Sequence, residues 1–285
     1  MSQLGMWAAD TTPDPLAYGA RLLDIAVRRH KPVAVFGMFS GGHDSLCATH
    51  MAATHPATRD LFRAVHINTG IGVEKTREFV RHTAEAQGWP LLEYRATDLG
   101  QDYDQLVMEH GFPGPFHHRK MYNRLKQRAV EALVRDHKKE RADRVLLVTG
   151  VRRYESQRRM GTVQPINRTG AQVWVAPLTW FDGTTKNEYM AAHSLPRNEV
   201  VDLLHMSGEC LCGAFAQPGE LEWLEVCGFA DEVRRIKDLE RRVTHPRCRW
   251  GQRDVPAEAQ EEDLFAPGFL CVGCSDDALL ARLGP

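Results

Sequence analysis

FSGGHDS, residues 39–45, is the stretch on which the fold turns. The apolar run before it, residues 32–39 (PVAVFGMF), predicts a buried strand, and residues 44–55 after it predict a helix. A glycine pair between a strand and a helix start lets the backbone turn tightly and leaves several amide N–H groups aimed at one spot. Free amides and the helix dipole favour a phosphate there; Ser40 and Ser45 add hydroxyls, and Asp44 can cap the helix or approach a magnesium ion. Taken alone, the glycine pair is equally a plain turn between strand and helix. The Walker pattern GxxxxGK[ST] is absent, which argues against ordinary γ-phosphate chemistry.

Working outward, residues 14–30 have helical spacing at Leu16, Leu22, Leu23, Ile25 and Ala26. Residues 61–67 form a second apolar run that ends in Asn68, Thr69 and Gly70. Ligands of open parallel sheets sit at the carboxyl ends of the strands, so this NTG turn is expected beside the glycine loop. A helix over residues 74–88, a strand over 90–96 and a fourth strand over 144–149 (RVLLVT) continue a β-α-β rhythm. The expected fold class is therefore α/β, a doubly wound and mostly parallel sheet, followed by a helical, cysteine-containing extension. The domain reading is a nucleotide-binding α/β domain over residues 1–205 and a cysteine-rich, metal-cluster-binding extension over 206–285.

Composition narrows the classes. The chain has 285 residues, 43% hydrophobic and 26% charged, with a net charge of −1, so a wholly basic nucleic-acid surface is not expected. No apolar run approaches the roughly 20 residues that span a bilayer, and the N-terminus lacks the basic and apolar regions of a secretion signal. A cytoplasmic protein without membrane association is expected. Seven cysteines in a reducing compartment suit metal binding or catalysis better than a disulfide framework. Cys47 and Cys227 have the spacing of packing residues.

The pattern SGGxDS resembles the pyrophosphate loop of the adenine nucleotide alpha hydrolase superfamily, whose members cleave ATP between the α and β phosphates. Three further segments extend the resemblance towards phosphoadenosine phosphosulfate reductases and related enzymes. A Gly/Pro-rich turn precedes a long helix starting near His117 that carries Arg124, Leu125 and Lys126; the resemblance implies that Lys126 faces the nucleotide. After the fourth strand comes GVRRYESQRR, with Gly150, Arg152, Arg153, Glu155, Ser156 and Arg159. There the arginines offer planar forks for phosphate or sulfate oxygens. Residues 175–196, with Pro177, Leu178, Trp180, Lys186, Tyr189, Leu195 and Pro196, resemble a structural helix segment of the family. Asn68 departs from the pattern, since relatives often carry an acid there.

The resemblance implies a nucleotide site made of Ser40, Gly41, Gly42, His43, Asp44, Ser45, Asn68, Thr69, Gly70, Gly150, Arg153, Glu155 and Ser156, with Asp44, Lys126, Arg152 and Arg159 in catalytic roles. Two cysteine pairs, Cys210/Cys212 and Cys271/Cys274, supply the four thiolates that an iron-sulfur cluster or structural zinc requires. Zinc sites more often use two CxxC knuckles, so a 4Fe-4S cluster is favoured over zinc, with Cys248 as a competing ligand. The charged stretch DEVRRIKDLERRV is expected to offer little apolar surface, so that the thiolates pin the tail in place.

Three readings follow. The favoured one is an ATP pyrophosphatase nearest to the iron-sulfur enzymes of DNA phosphorothioation, using ATP and Mg2+ to adenylate a DNA, RNA or small-molecule acceptor. A sulfur-donor protein such as a cysteine desulfurase, and a homo-oligomer, are the assemblies expected with it. The second is a reductase of adenylylsulfate or its 3'-phosphorylated form, which the intact SGGxDS loop and a C-terminus without an ECG[IL]H tail disfavour. The third is a non-catalytic nucleic-acid-binding module with a structural metal, suggested by the basic clusters and disfavoured by the acids interleaved with them.

Overall fold

A computed structural model describes residues 13–155 and 163–252. Six strands form one sheet in the order β3-β2-β1-β4-β6-β5. They are β1 (Ala34–Met38), β2 (Phe62–Asn68), β3 (Leu91–Arg95), β4 (Val145–Val148), β5 (Ile166–Thr169) and β6 (Gln172–Val175). All neighbours pair in parallel except β5, which closes one edge antiparallel to β6. The strand order reverses between β1 and β4, and a crevice at the carboxyl ends of those two strands is where ligands of such sheets bind.

Helices cover both faces, as expected of strands that are apolar on both sides. Val35, Ala64, Leu146 and Val148 point to a core shared with α1 (Pro15–His30), α2 (His43–Thr54) and helix residues Tyr189 and Met190. Phe36, Met38, Val65, Ile67 and Leu147 point the other way, onto Ala129, Val130 and Leu133 of the helix Arg128–His137. Local capping sets several boundaries: the Asp14 carboxylate accepts from the Leu16 amide at 3.1 Å ahead of a proline that opens α1. α3 (Glu74–Ala86) follows the NTG turn, and α4 (Tyr103–His110) starts on Asp102, whose carboxylate accepts from the Gln105 amide at 2.9 Å.

The long helix expected from His117 is broken into α5 (His118–Tyr122), a π-helical stretch (Asn123–Gln127) and α6 (Arg128–His137). A π segment inserts an extra residue per turn and turns the side chains after it, and such segments recur at functional sites. α7 (Gly183–Ala192) and α8 (Glu199–Leu204) follow the sheet, capped by Asp182 and Asn198.

Residues 206–252 hold α9 (Glu220–Val226) and α10 (Ala230–Arg242). Here the structure corrects the expectation of a tail with little apolar surface. Val233, Ile236 and Leu239 repeat at helical spacing on the inner side of α10 and join Leu211, Leu224, Phe229 and Trp250. Together they pack against Tyr103, Val107, Phe112 and Leu125 of the main body. The alternating charges read from the sequence are only the outer face. Among the described residues, no helix is long and apolar enough to cross a membrane.

Candidate functional site

The loop between β1 and α2 forms at the carboxyl end of the central strand. Gly41 has φ +85°, a left-handed conformation that favours glycine, and a Cβ there would come within 2.5 Å of Thr76 on α3. Ser45 is the hub of the turn. Its hydroxyl donates to the Gly42 carbonyl at 2.7 Å and accepts from the Ser40 amide and hydroxyl at 3.2 Å each. These bonds fold the loop around the start of α2, where the first amides of the helix are free for an anion.

Gly150, at the end of β4, lies against the same helix start. A Cβ at this position would meet the Asp44 carbonyl carbon at 2.4 Å and the Ser45 nitrogen at 2.5 Å, so only glycine lets β4 approach the loop. Next to it, Arg152 places Nε 3.0 Å from Asp44 Oδ1, and Lys186 of α7 places Nζ 3.8 Å from the same oxygen. Asp44 Oδ1 and Arg152 Nε are buried and close, yet neither is aligned for a hydrogen bond. A carboxylate between two cations with hydrogen-bonding capacity unspent fits a site built to receive phosphate and a hard cation. Arg153 donates its amide to the Thr179 carbonyl at 3.0 Å and sets its guanidinium over the Trp180 ring at 4.4 Å.

The NTG turn closes the other side. Asn68 donates through Nδ2 to Glu93 Oε1 at 3.1 Å and accepts from the Gly70 amide at 2.9 Å. Glu93 is in turn gripped by Arg81 and Arg95, and it is held at about 2 against its own burial by the hydrogen bonds from Arg81, Asn68 and Arg95. Thr69 is fully buried and donates its amide to Glu209 Oε1 at 2.9 Å.

Two buried histidines buttress the loop. His43 Nε2 accepts from the Asn198 amide at 3.0 Å, and the Asn198 side chain donates to the Gly41 carbonyl at 2.9 Å. Burial, with help from Arg197, lowers His43 to about 4, so it stays neutral as an acceptor must. His66 is the opposite case. Its Nδ1 faces the Phe39 carbonyl at 2.9 Å and its Nε2 faces Glu209 Oε2 at 3.1 Å. The Nε2 approach is close but not aligned for a hydrogen bond; burial opposes a charge on the ring, and the Glu209 carboxylate outweighs burial and raises the pKa.

The structure thus brings Ser40, Gly41, Gly42, His43, Asp44, Ser45, Gly150 and Arg152 to one place, with Asn68, Thr69 and Gly70 at the end of the neighbouring strand. Lys126 sits half-buried in the π-helical stretch. Glu155 closes the short helix Arg153–Glu155, and Ser156 and Arg159 lie outside the described residues. Sequence reading missed Asn198, His66 and Glu209 as site supports and gave Lys186 only a structural place. Asn198 left a signal in the pattern NxxxD at a helix start, whereas His66 and Glu209 are linked only by tertiary packing.

Of the four proposed metal ligands, Cys210 is half-buried and Cys212 buried, while Cys271 and Cys274 lie outside the described residues. Cys210, Cys212, Cys227 and Cys248 all belong to or touch the second apolar core. Among the described residues, no group of three His, Cys, Asp or Glu side chains is placed to hold a metal ion. Two thiols two residues apart offer two soft donors, of the kind that suits iron-sulfur or zinc and not a hard cation. Cys47 is a packing residue as expected, fully buried, with burial pushing its thiol up to about 12. Cys227 is half-buried at the end of α9, at the rim of the core and not inside it.

Comparison with solved structures finds similarity to phosphoadenylyl-sulfate (PAPS) reductase from Candida auris, at 18% identity and a TM-score of 0.47 over 65% of this chain and 84% of that chain. NMN synthetase from Francisella tularensis is similar at 15% identity and a TM-score of 0.48, over 82% of this chain and 96% of that one. Yeast FAD synthetase is similar at 14% identity and a TM-score of 0.46, over 69% of this chain and 65% of that one. Comparison with curated proteins finds no match. The profile of the phosphoadenosine phosphosulfate reductase domain matches residues 34–277, from the first strand through both cysteine pairs, and the chain belongs to that family.

Proposed function

We propose that the protein is an ATP pyrophosphatase that adenylates a substrate, releases pyrophosphate and so activates the substrate for sulfur transfer to a nucleic acid or small molecule. The observation that carries this reading is the complete SGGHDS loop, closed on itself through Ser45 and set against Gly150 at the strand-order reversal. A loop with this much amide and hydroxyl capacity suits a triphosphate tail.

The β and γ phosphates would lie on the loop amides and on the hydroxyls of Ser40 and Ser45. Asp44 would hold Mg2+, which offsets phosphate charge when bound. Arg152 and Lys186, which lie beside Asp44, would turn to the phosphate oxygens, and Arg159 and Lys126 would add positive charge where the α phosphate is attacked. A substrate oxygen attacks the α phosphorus, the bond to the bridging oxygen breaks, and its electron pair leaves with pyrophosphate. The proton of the attacking hydroxyl passes to solvent. The outer sulfur of a persulfide on a donor protein such as a cysteine desulfurase would then attack the activated atom and displace AMP. A second thiol would break the remaining S–S bond, forming a disulfide with the donor cysteine and leaving the sulfur on the acceptor. The reading extends to a 4Fe-4S cluster, with zinc as the alternative, on Cys210, Cys212, Cys271 and Cys274.

Protein purified without oxygen and given magnesium ATP, or adenylylsulfate with a thiol reductant, tests the reading. Pyrophosphate and AMP from ATP support it. Sulfite from adenylylsulfate without ATP cleavage identifies a sulfonucleotide reductase instead.

A further inference from the structure

The loop over residues 207–212 is stitched to the nucleotide side of the molecule residue by residue. The Ser207 carbonyl accepts from the Thr76 hydroxyl at 2.7 Å, and the Gly208 carbonyl from the Val73 amide at 2.8 Å. Glu209 accepts the Thr69 amide on its carboxylate at 2.9 Å and the Thr69 hydroxyl on its backbone carbonyl at 2.6 Å. Leu211 donates its amide to the Ile71 carbonyl at 2.9 Å. Beyond this seam, the Cys212 carbonyl accepts from the buried Tyr103 hydroxyl at 2.9 Å and the Leu211 carbonyl from Trp250 Nε1 at 2.8 Å.

Glu209 fixes the register of this seam. Its side chain is 3% exposed, and Oε2 lies 3.1 Å from His66 and 3.7 Å from Arg77. Through Thr69 it touches the NTG turn directly, and through His66 it reaches the Phe39 carbonyl, the last bond before the phosphate loop. A buried carboxylate is costly to separate from its partners, so the loop cannot slide without breaking several charged contacts at once. Ser207 also lies 3.5 Å from where a Cβ on Gly42 would stand.

We infer that the 207–212 loop couples the nucleotide site to the Cys210–Cys212 pair, with Glu209 as its positioning residue. The coupling rests on the proposed nucleotide site, and its sense is reciprocal: whatever orders one end favours the ordered form of the other. Nucleotide on the Ser40–Ser45 loop and the NTG turn therefore restrains the backbone that carries both cysteines.

Hydrogen–deuterium exchange of the full chain, with and without Mg2+ and the α,β-methylene analogue of ATP, tests this, with binding followed separately by calorimetry. In the native protein, amides of residues 207–212 should exchange about fivefold more slowly, or slower still, once the analogue is bound. In Glu209→Gln that response should vanish while binding persists more weakly, whereas protection by direct contact with the nucleotide would survive the substitution. Should Glu209→Gln fail to fold, Gly72→Ala serves in its place. Its Cβ would meet the Glu209 backbone at 2.6–2.8 Å and push the loop from its seat. Analogue binding with no change in 207–212, or an undiminished response in both variants, overturns the coupling alone. Failure of the native protein to bind the analogue overturns the proposed function as well.

Discussion

The phosphate loop and the cysteine loop are both held tightly, but by different physics. Around the phosphate loop the restraint is mainly steric and uncharged: Gly41 and Gly150 let backbone meet backbone, Ser45 closes the turn with short-range hydrogen bonds, and Asn198 adds neutral bonds to His43 and the Gly41 carbonyl. The cysteine loop is restrained by long-range partners, a buried ionic contact between Glu209 and His66 and an apolar core assembled from residues 71–125 and 200–250. Steric restraint at a loop centred on a sheet gives a rigid cradle. Restraint through distant partners gives a segment whose order depends on what those partners are doing.

The largest effect should come from the cradle. Asp44→Ala and Ser45→Ala should each lower pyrophosphate release by about 100-fold or more, the scale on which single charge-stabilising groups act. Thermal melts should show both variants folded, with Ser45→Ala lowered by the loss of its turn bonds, and turnover retained in both variants would refute the assignment. Next comes the apolar seam. Ile236 is fully buried in the second core, and Ile236→Ala should cost about 2–5 kcal/mol. Proteolysis should then cut first within residues 206–252. Chelation provides the contrast: the apolar packing of α10 predicts that its protease resistance survives metal removal and falls in Ile236→Ala. Gly150→Ala sits lower, at about 1–3 kcal/mol for forcing a methyl into a filled space. Its activity loss should exceed its stability loss, since the atoms displaced belong to Asp44 and Ser45.

What could be read from the sequence divides along the same line. The parallel sheet, the phosphate loop and the glycine at the end of β4 all leave local signatures, because strand, turn and helix start are neighbours in the chain. The second core did not, since α10 reads as charged unless its one apolar stripe is matched with Tyr103 and Phe112 more than a hundred residues earlier. The π-helical turn around Lys126 also escaped, as its residues are ordinary helix formers and the irregularity arises from packing. Glu209 was hidden for a further reason. A lone acid next to a cysteine looks solvent-facing until His66 and Thr69 supply its partners from a strand far away.

The smallest effect separates the two regions by pH. His43, under the phosphate loop, and His50, whose Nδ1 meets the Tyr189 hydroxyl at 2.7 Å, are each lowered to about 4, chiefly by burial. In the unfolded chain they take up protons near 6.5, so between about 6.5 and 4 the unfolded state binds more protons and stability falls as the pH falls. Each such proton contributes at most about 1.4 kcal/mol per pH unit. His66 works in the other direction: raised by Glu209, it contributes fully below its unfolded value and loses that contribution as the pH rises through its folded one. Acid should therefore weaken the cradle side, and a rise in pH above the unfolded histidine value the seam beside the cysteines. Urea midpoints at pH 7 and pH 5 would show this as a drop in the native protein that His43→Gln makes smaller, because the amide can still accept from Asn198 and has no proton to gain. An equal drop in both proteins would mean that His43 is protonated in the fold and that its bond from Asn198 is not what holds the loop.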